Sequence, residues 1–221
     1  MKLTSPKIVS PDSPFRSILA YPNFPGPFPA VLVLHDKYGR DAWADSRALY
    51  FSRQGLVGYS FDYLGQYATS DDGAAAMDSY IKQDRNRLLE RLHEALNKMR
   101  EWLFVKQDKI VVIGYGLGGL GALDMARAGF NVSAVVAVNP PLDLPAPFQH
   151  QAVNITQKIL IFHSGKNDQL SEFTDDLSRH NANWQMHMYG PTYDEVSKSG
   201  GNGNPISWTY TLMFVAEMLK D

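Results

Sequence analysis

Cysteine is missing from all 221 residues, which excludes disulfides, thiolate metal sites and a cysteine nucleophile anywhere in the chain. An excess of charge of either sign is lacking too. The net charge is −2 and no run of Lys or Arg occurs, so the electrostatic footprint of a nucleic-acid or anionic-lipid binder is absent. No apolar run approaches bilayer length, and Met1 to Phe15 carries three prolines and no stretch of signal-peptide length. These absences lead to the expectation of a cytoplasmic protein whose partners are small molecules or proteins, with no nucleic acid and no membrane. Nothing in the sequence sets an oligomeric state. With 44% apolar residues the chain can bury a substantial core, and a single domain over residues 1–221 is expected.

What is present is a regular alternation of short apolar runs and longer amphipathic stretches. Ala30 to His35 (AVLVLH) has the length and β-branching of a buried strand. A helix is predicted from Asp41 to Gln54, with Ala44, Ala48, Leu49 and Phe51 facing the core and Gly55 ending it. Leu56 to Phe61 is the next strand. From Asp84 to Trp102, the residues Leu88, Leu92, Leu96, Met99 and Trp102 recur at spacings of three and four, the clearest helix in the chain. Further strands are predicted at Lys109 to Ile113, Ser133 to Val138, Lys158 to His163 and Trp184 to Tyr189. Helices are predicted at Leu117 to Ala128, Glu172 to His180 and Ser207 to Leu219, and the run Ser199 to Pro205 is read as a mobile loop. Such alternation calls for an α/β fold with a mostly parallel central sheet and helices on both faces, ligands binding at the carboxyl ends of the strands.

Lys109 to Gly119 reads KIVVIGYGLGG, a strand running into a sharp turn and a helix. Gly114, Gly116 and Gly119 satisfy G-x-G-x-x-G, which raises a nucleotide-binding oxidoreductase as one alternative. That pattern wants an acidic residue about twenty residues on, whereas Ser133 to Val138 ends in Asn139, Pro140 and Pro141. The same turn also reads as a nucleophile elbow, G-x-Nuc-x-G, with Gly114 and Gly118 flanking position 116. Gly116 offers no hydroxyl or thiol there, and a glycine relaxes the positive φ that an elbow forces on its apex.

DRNRLLERLHEALNKMREW (Asp84 to Trp102) followed by KIVVIGYGLGGLGALDMARAG (Lys109 to Gly129) resembles the dienelactone hydrolase family. The likeness runs from AYP (Ala20 to Pro22) and LHDKYG (Leu34 to Gly39), through HSGKND (His163 to Asp168), to WQMHMYG (Trp184 to Gly190). The resemblance implies an α/β-hydrolase fold and a Cys, Asp and His triad falling on Gly116, Asp168 and Asp194, so that only the acid is retained. None of the histidines His35, His93, His150, His163, His180 and His187 lies in the loop after Tyr189, where GPTYDEV stands instead. The resemblance further implies oxyanion-hole donors at the backbone N–H groups of Lys37 and Leu117, with Asp36 in place of a glutamate near the family's thiol.

Around this site Tyr38 and Tyr115 are expected to flank the cleft, and Lys37, Lys82 and Arg85 are candidate anion partners. His163 ends its strand beside Asp168 in sequence, and Ser164 next to it has no evident base. The expectation is a degenerate-triad protein that binds a small carboxylate or lactone-like ligand or a partner, with no cofactor. The alternative is an active ester or lactone hydrolase in which Asp168 and Asp194 share a proton, or in which Asp36 and Glu195 extend the cluster to a hard-oxygen metal site.

Overall fold

The computed structural model describes residues 7–9, 17–144, 154–165, 167–190 and 205–220. Its elements run β1 (Lys7–Val9), β2 (Ile18–Tyr21), β3 (Phe28–Leu34), α1 (Ala42–Arg53), β4 (Val57–Phe61), α2 (Asp71–Gln83) and α3 (Arg85–Glu101). After these come β5 (Val105–Tyr115), α4 (Leu117–Arg127), β6 (Ala134–Val138), β7 (Lys158–Ser164), α5 (Leu170–Arg179), β8 (Asn183–Tyr189) and α6 (Pro205–Met218). The strands form one sheet in the order β1-β2-β4-β3-β5-β6-β7-β8. β1 and β2 are antiparallel additions at one edge, and β4 through β8 are parallel.

Alternate residues of each central strand feed two cores. On β5, Ile110 and Val112 join the face covered by α2, α3, α4 and α5, whereas Val111, Ile113 and Tyr115 join the face covered by α1 and α6. Both faces of the parallel strands are thus apolar, which is why the sequence shows them as continuous runs without alternation. The spacing read on α3 is matched by its packing: Leu88, Leu92, Leu96 and Met99 are fully buried, each worth about 1.5–3 kcal/mol of burial.

The predicted strands and helices are all found, within a few residues at their ends, and three elements are added. β1 is exposed throughout and β2 has only four residues, so neither carries a readable period. α2 presents only Ala74, Met77 and Ile81 to the core, too weak a stripe to announce a helix. Asp84 separates it from α3: with φ −139° and ψ 76° it leaves helical geometry, and its carboxylate caps the next helix by accepting from the Arg87 N–H. The loop expected over Ser199 to Pro205 lies outside the described residues up to 204, and Pro205 opens α6.

Chain order and sheet order part company at β3. From β3 the chain crosses to β4 on one side, then returns over β3 to β5 on the other. The carboxyl ends of β3 and β5 therefore lie side by side at a topological switch point, where such sheets hold their ligands.

Candidate functional site

Two segments meet at that point: His35, Asp36 and Lys37 after β3, and Gly116 and Leu117 between β5 and α4. Gly116 has φ +50° and ψ −117°, so the elbow conformation is kept, and a glycine bears it without a side-chain penalty. The flanking glycines have packing roles. A Cβ on Gly114 would collide with the Gly118 carbonyl and lie 2.6 Å from the Gly119 nitrogen, and one on Gly118 would press on the Leu34 and His35 carbonyls. The glycines of the G-x-G-x-x-G spacing serve this close approach of turn, helix and strand.

The apex of the elbow is filled by Asp36. Its Oδ1 accepts the Lys37 N–H at 2.7 Å and the Leu117 N–H at 2.9 Å. A Cβ built on Gly116 would fall inside this carboxylate, 2.7 Å from Oδ2 and nearer still to Cγ and Oδ1. One side chain thus takes both the space of a side chain at position 116 and the pair of amides that the resemblance assigned to an oxyanion. Leu117 opens α4, so Oδ1 also lies at the positive end of that helix.

The strand end that carries Asp36 is braced from several sides. His35 is buried, with Nδ1 2.7 Å from the Asp36 carbonyl oxygen and Nε2 3.3 Å from Asp62 Oδ1, the latter within ion-pair range but misaligned for a strong hydrogen bond. Its ring stacks on Tyr63 at 4.3 Å, and the Tyr63 hydroxyl donates to the His35 carbonyl at 2.9 Å. Burial alone would raise the Asp62 carboxyl, but His35 and the Gly65 N–H outweigh it and leave Asp62 below the usual carboxylate range.

Asp36 goes the other way. Burial raises its carboxyl above the ordinary value, and the Leu117 and Lys37 N–H groups with the Lys37 and His35 charges offset only part of that. A carboxyl raised on folding contributes stability that is present below the unfolded range near ~4 and is lost as pH rises through the folded value. Asp36→Asn keeps an oxygen for the two amides and cannot ionise, so it is expected to gain stability relative to the parent between about pH 4 and pH 7. Urea midpoints of both proteins across that window check this; a difference that is flat or shrinks as pH rises contradicts it.

The other expected site residues that are described sit at the end of β7 and in the turn before α5. Asp168 is exposed in the turn before α5, beside Ser171, Glu172 and Asp175 on the outer surface of that helix. Asp194 and Glu195 lie outside the described residues. Among the described residues no group of three or more His, Cys, Asp or Glu side chains is placed to hold a metal ion. His163 is buried, with Nδ1 unpartnered and its pKa lowered by that burial. The Ser164 hydroxyl donates to Asn139 Oδ1 at 3.2 Å, and the same oxygen accepts the Ser164 N–H. Asn139 holds this clamp at a positive φ of 48°, so Ser164 is tethered rather than activated.

Several flanking residues have other tasks than those expected. Tyr38 is half-buried, its hydroxyl donating to Asp71 at 2.6 Å. Tyr115 is buried under α1, edge-on to Trp43 at 4.2 Å, with its hydroxyl pushed up to about 12 by burial; it supports the elbow from below and does not line an open cleft. Lys82 pairs with Asp78 and Asp143, and Arg85 is buried against Asp124, so neither is a solvated cation awaiting a ligand. The sequence showed Asp36 only as a carboxylate near the mouth. Its seat in the amide pair depends on residues 80 positions apart meeting at the switch point, and no local signal carries that.

A family model described as "Dienelactone hydrolase family" matches residues 15–193. Among solved structures, the chain superposes on m3DLH with a TM-score of 0.83 at 21% identity, covering 98% of this chain and 100% of the other. It is similar to the dienelactone hydrolase-like promiscuous phosphotriesterase P91 from metagenomic libraries, with a TM-score of 0.78, 20% identity and 92% of each chain covered. It is also similar to MGS-M1, an α/β hydrolase enzyme from a Medee basin deep-sea metagenome library, at a TM-score of 0.61, 15% identity and coverage of 97% and 98%. No curated protein matches. At these identities the structural likeness establishes the α/β-hydrolase fold alone.

Proposed function

The chain belongs to the dienelactone hydrolase family, and from that premise we propose that it is a catalytically impaired member whose cleft binds a small neutral carbonyl or lactone-like ligand instead of hydrolysing it. The observation that carries this is Asp36 Oδ1 on the Lys37 and Leu117 N–H groups. Acyl transfer develops negative charge on the substrate's carbonyl oxygen, and donors preorganised for that oxygen supply much of the catalysis. Here an anionic oxygen of the protein itself holds both donors. A substrate oxygen would have to displace a carboxylate hydrogen-bonded twice, and position 116 would still provide no nucleophile.

The same carboxylate bears on ligand charge. A carboxylate ligand at this point would meet Asp36 at close range, with Lys82 and Arg85 already committed to acidic partners. Neutral ligands escape that repulsion, whose scale at 4 Å is about 4 kcal/mol for an effective dielectric of ~20.

The test is hydrolysis of short aryl esters and small unsaturated lactones, with and without chelator. Turnover by the wild-type protein is expected to equal the buffer rate, and Asp36→Ala, which empties the amide pair, is expected to exceed it. Residual catalysis by an oxyanion site without its triad reaches roughly 10³–10⁴ over water in well-studied hydrolases, which bounds the gain. Clear wild-type turnover abolished by Asp36→Ala would sink the proposal. Turnover abolished by Asp168→Ala or by chelator would instead support a carboxylate or metal-assisted hydrolase.

A further inference from the structure

The two oxygens of Asp36 are not equivalent. Oδ1 takes both amides. Oδ2 accepts no hydrogen bond among the described residues and, unlike the neighbouring His35 Nε2, is not sealed from solvent. It lies 2.7 Å from where a side chain on residue 116 would begin, farther than Oδ1 and Cγ, so a solvent-reachable lone pair without a hydrogen bond stands beside the apex of the elbow. The bracing of His35 by Tyr63 and Asp62 fixes this orientation from behind.

We propose that Asp36 is itself a nucleophile, directed at the saturated carbon of a neutral alkylating ligand such as an alkyl halide. This rests on the neutral-ligand cleft proposed above and extends it. An ester substrate needs the amide pair for its own oxyanion and finds it taken. Displacement at a saturated carbon makes no oxyanion on the substrate: the Oδ2 lone pair forms the C–O bond as the carbon–halogen bond breaks, the halide leaves with the bonding electrons, and no proton moves. The product is the alkyl ester of Asp36, whose carbonyl oxygen is Oδ1. Only then is an oxyanion required, and it arises on an atom already 2.7 and 2.9 Å from the two donors.

Water adding to Cγ puts negative charge on Oδ1 and gives its proton to solvent base. Collapse expels the alkoxide with Oδ2, which takes up a proton as the alcohol, and the carboxylate is regenerated with one oxygen from water. The net change is alkyl halide plus water to alcohol plus hydrogen halide. Both ring nitrogens of His35 face other acceptors, Asp36 O and Asp62 Oδ1, so that residue gives the water no base. The ester should therefore outlast its formation.

Incubation of the full chain with 4-nitrobenzyl bromide, followed by intact-mass and peptide mass spectrometry, tests the assignment in a protein with no thiol to confuse it. One nitrobenzyl group per chain is expected at Asp36, formed at least roughly tenfold faster than at the exposed Asp168 of the same molecule, because positioning raises the effective concentration of the reacting group. Asp36→Asn should lose this label, and release in ¹⁸O-water should place the heavy oxygen in Asp36 and none in the first alcohol formed. Labelling of Asp36 no faster than Asp168, or no faster than in urea-unfolded chain, overturns the proposal, and that comparison needs no variant to fold. Ester turnover in the preceding assay would overturn the binding function alone, whereas absent label overturns only the nucleophile.

Discussion

Gly116→Cys is expected to destabilise the chain by about 3–5 kcal/mol, but by only about 1–2 kcal/mol when introduced together with Asp36→Gly and compared with that variant. A side chain at position 116 cannot coexist with the carboxylate that fills its place. Asp36 must swing out, which forfeits two charge-assisted hydrogen bonds worth about 1.5–3 kcal/mol each, less the desolvation that is relieved. A smaller charge for positive φ is paid by any residue other than glycine at φ +50°. With Asp36 gone, only that second cost remains. Urea unfolding of parent, both single variants and the double variant closes the cycle, and a coupling of about 2–3 kcal/mol is expected. Additivity within ~0.5 kcal/mol would mean that Asp36 does not occupy the elbow.

Asp124→Ala should cost a similar amount, about 3–5 kcal/mol, for a different reason. Asp124 is fully buried on α4 between two guanidinium groups. Arg85, at the start of α3, donates through Nε at 2.6 Å and through Nη2, and Arg127 Nη1 lies 3.4 Å away. Arg127 reaches on to Asp176 of α5 at 2.9 Å, over the Phe173 ring. Removing the central carboxylate leaves Arg85, buried to 8% exposure, with only the Asp143 carbonyl as hydrogen-bond partner among the described residues. The replacement Arg85→Met with Asp124→Leu should cost less than Asp124→Ala alone, since it deletes the buried charges as a pair and leaves Arg127 its bond to Asp176. Chemical denaturation decides, and a loss below ~1 kcal/mol for Asp124→Ala would show that the cluster is hydrated and not a buried ion network.

That cluster also shows where sequence reading stops. Arg85 appeared as a charge near a helix start, a position that normally faces water, and Asp124 sat unremarked inside the helix after the elbow. Their separation of 39 residues leaves no local pattern to join them. Tyr115 was placed by adjacency at the cleft, but the pleat of β5 turns its side chain to the opposite core, because successive residues of a strand point to opposite faces.

The sequence alone determined the order of the strands and helices other than β1, β2 and α2, the sharp glycine turn after β5 and the absence of any thiol nucleophile. These are properties of composition, of apolar periodicity and of residue type at a motif position, all of which are local. The tertiary structure decided that the elbow keeps its conformation, that Asp36 accepts the Lys37 and Leu117 amides, and that Arg85 is buried instead of poised for an anion. Those outcomes depend on the crossing of the chain at β3 and on how helices pack over the sheet. Hydrogen bonds between backbone and side chains act over about 3 Å, and only the folded chain brings β3 and β5 ends that close.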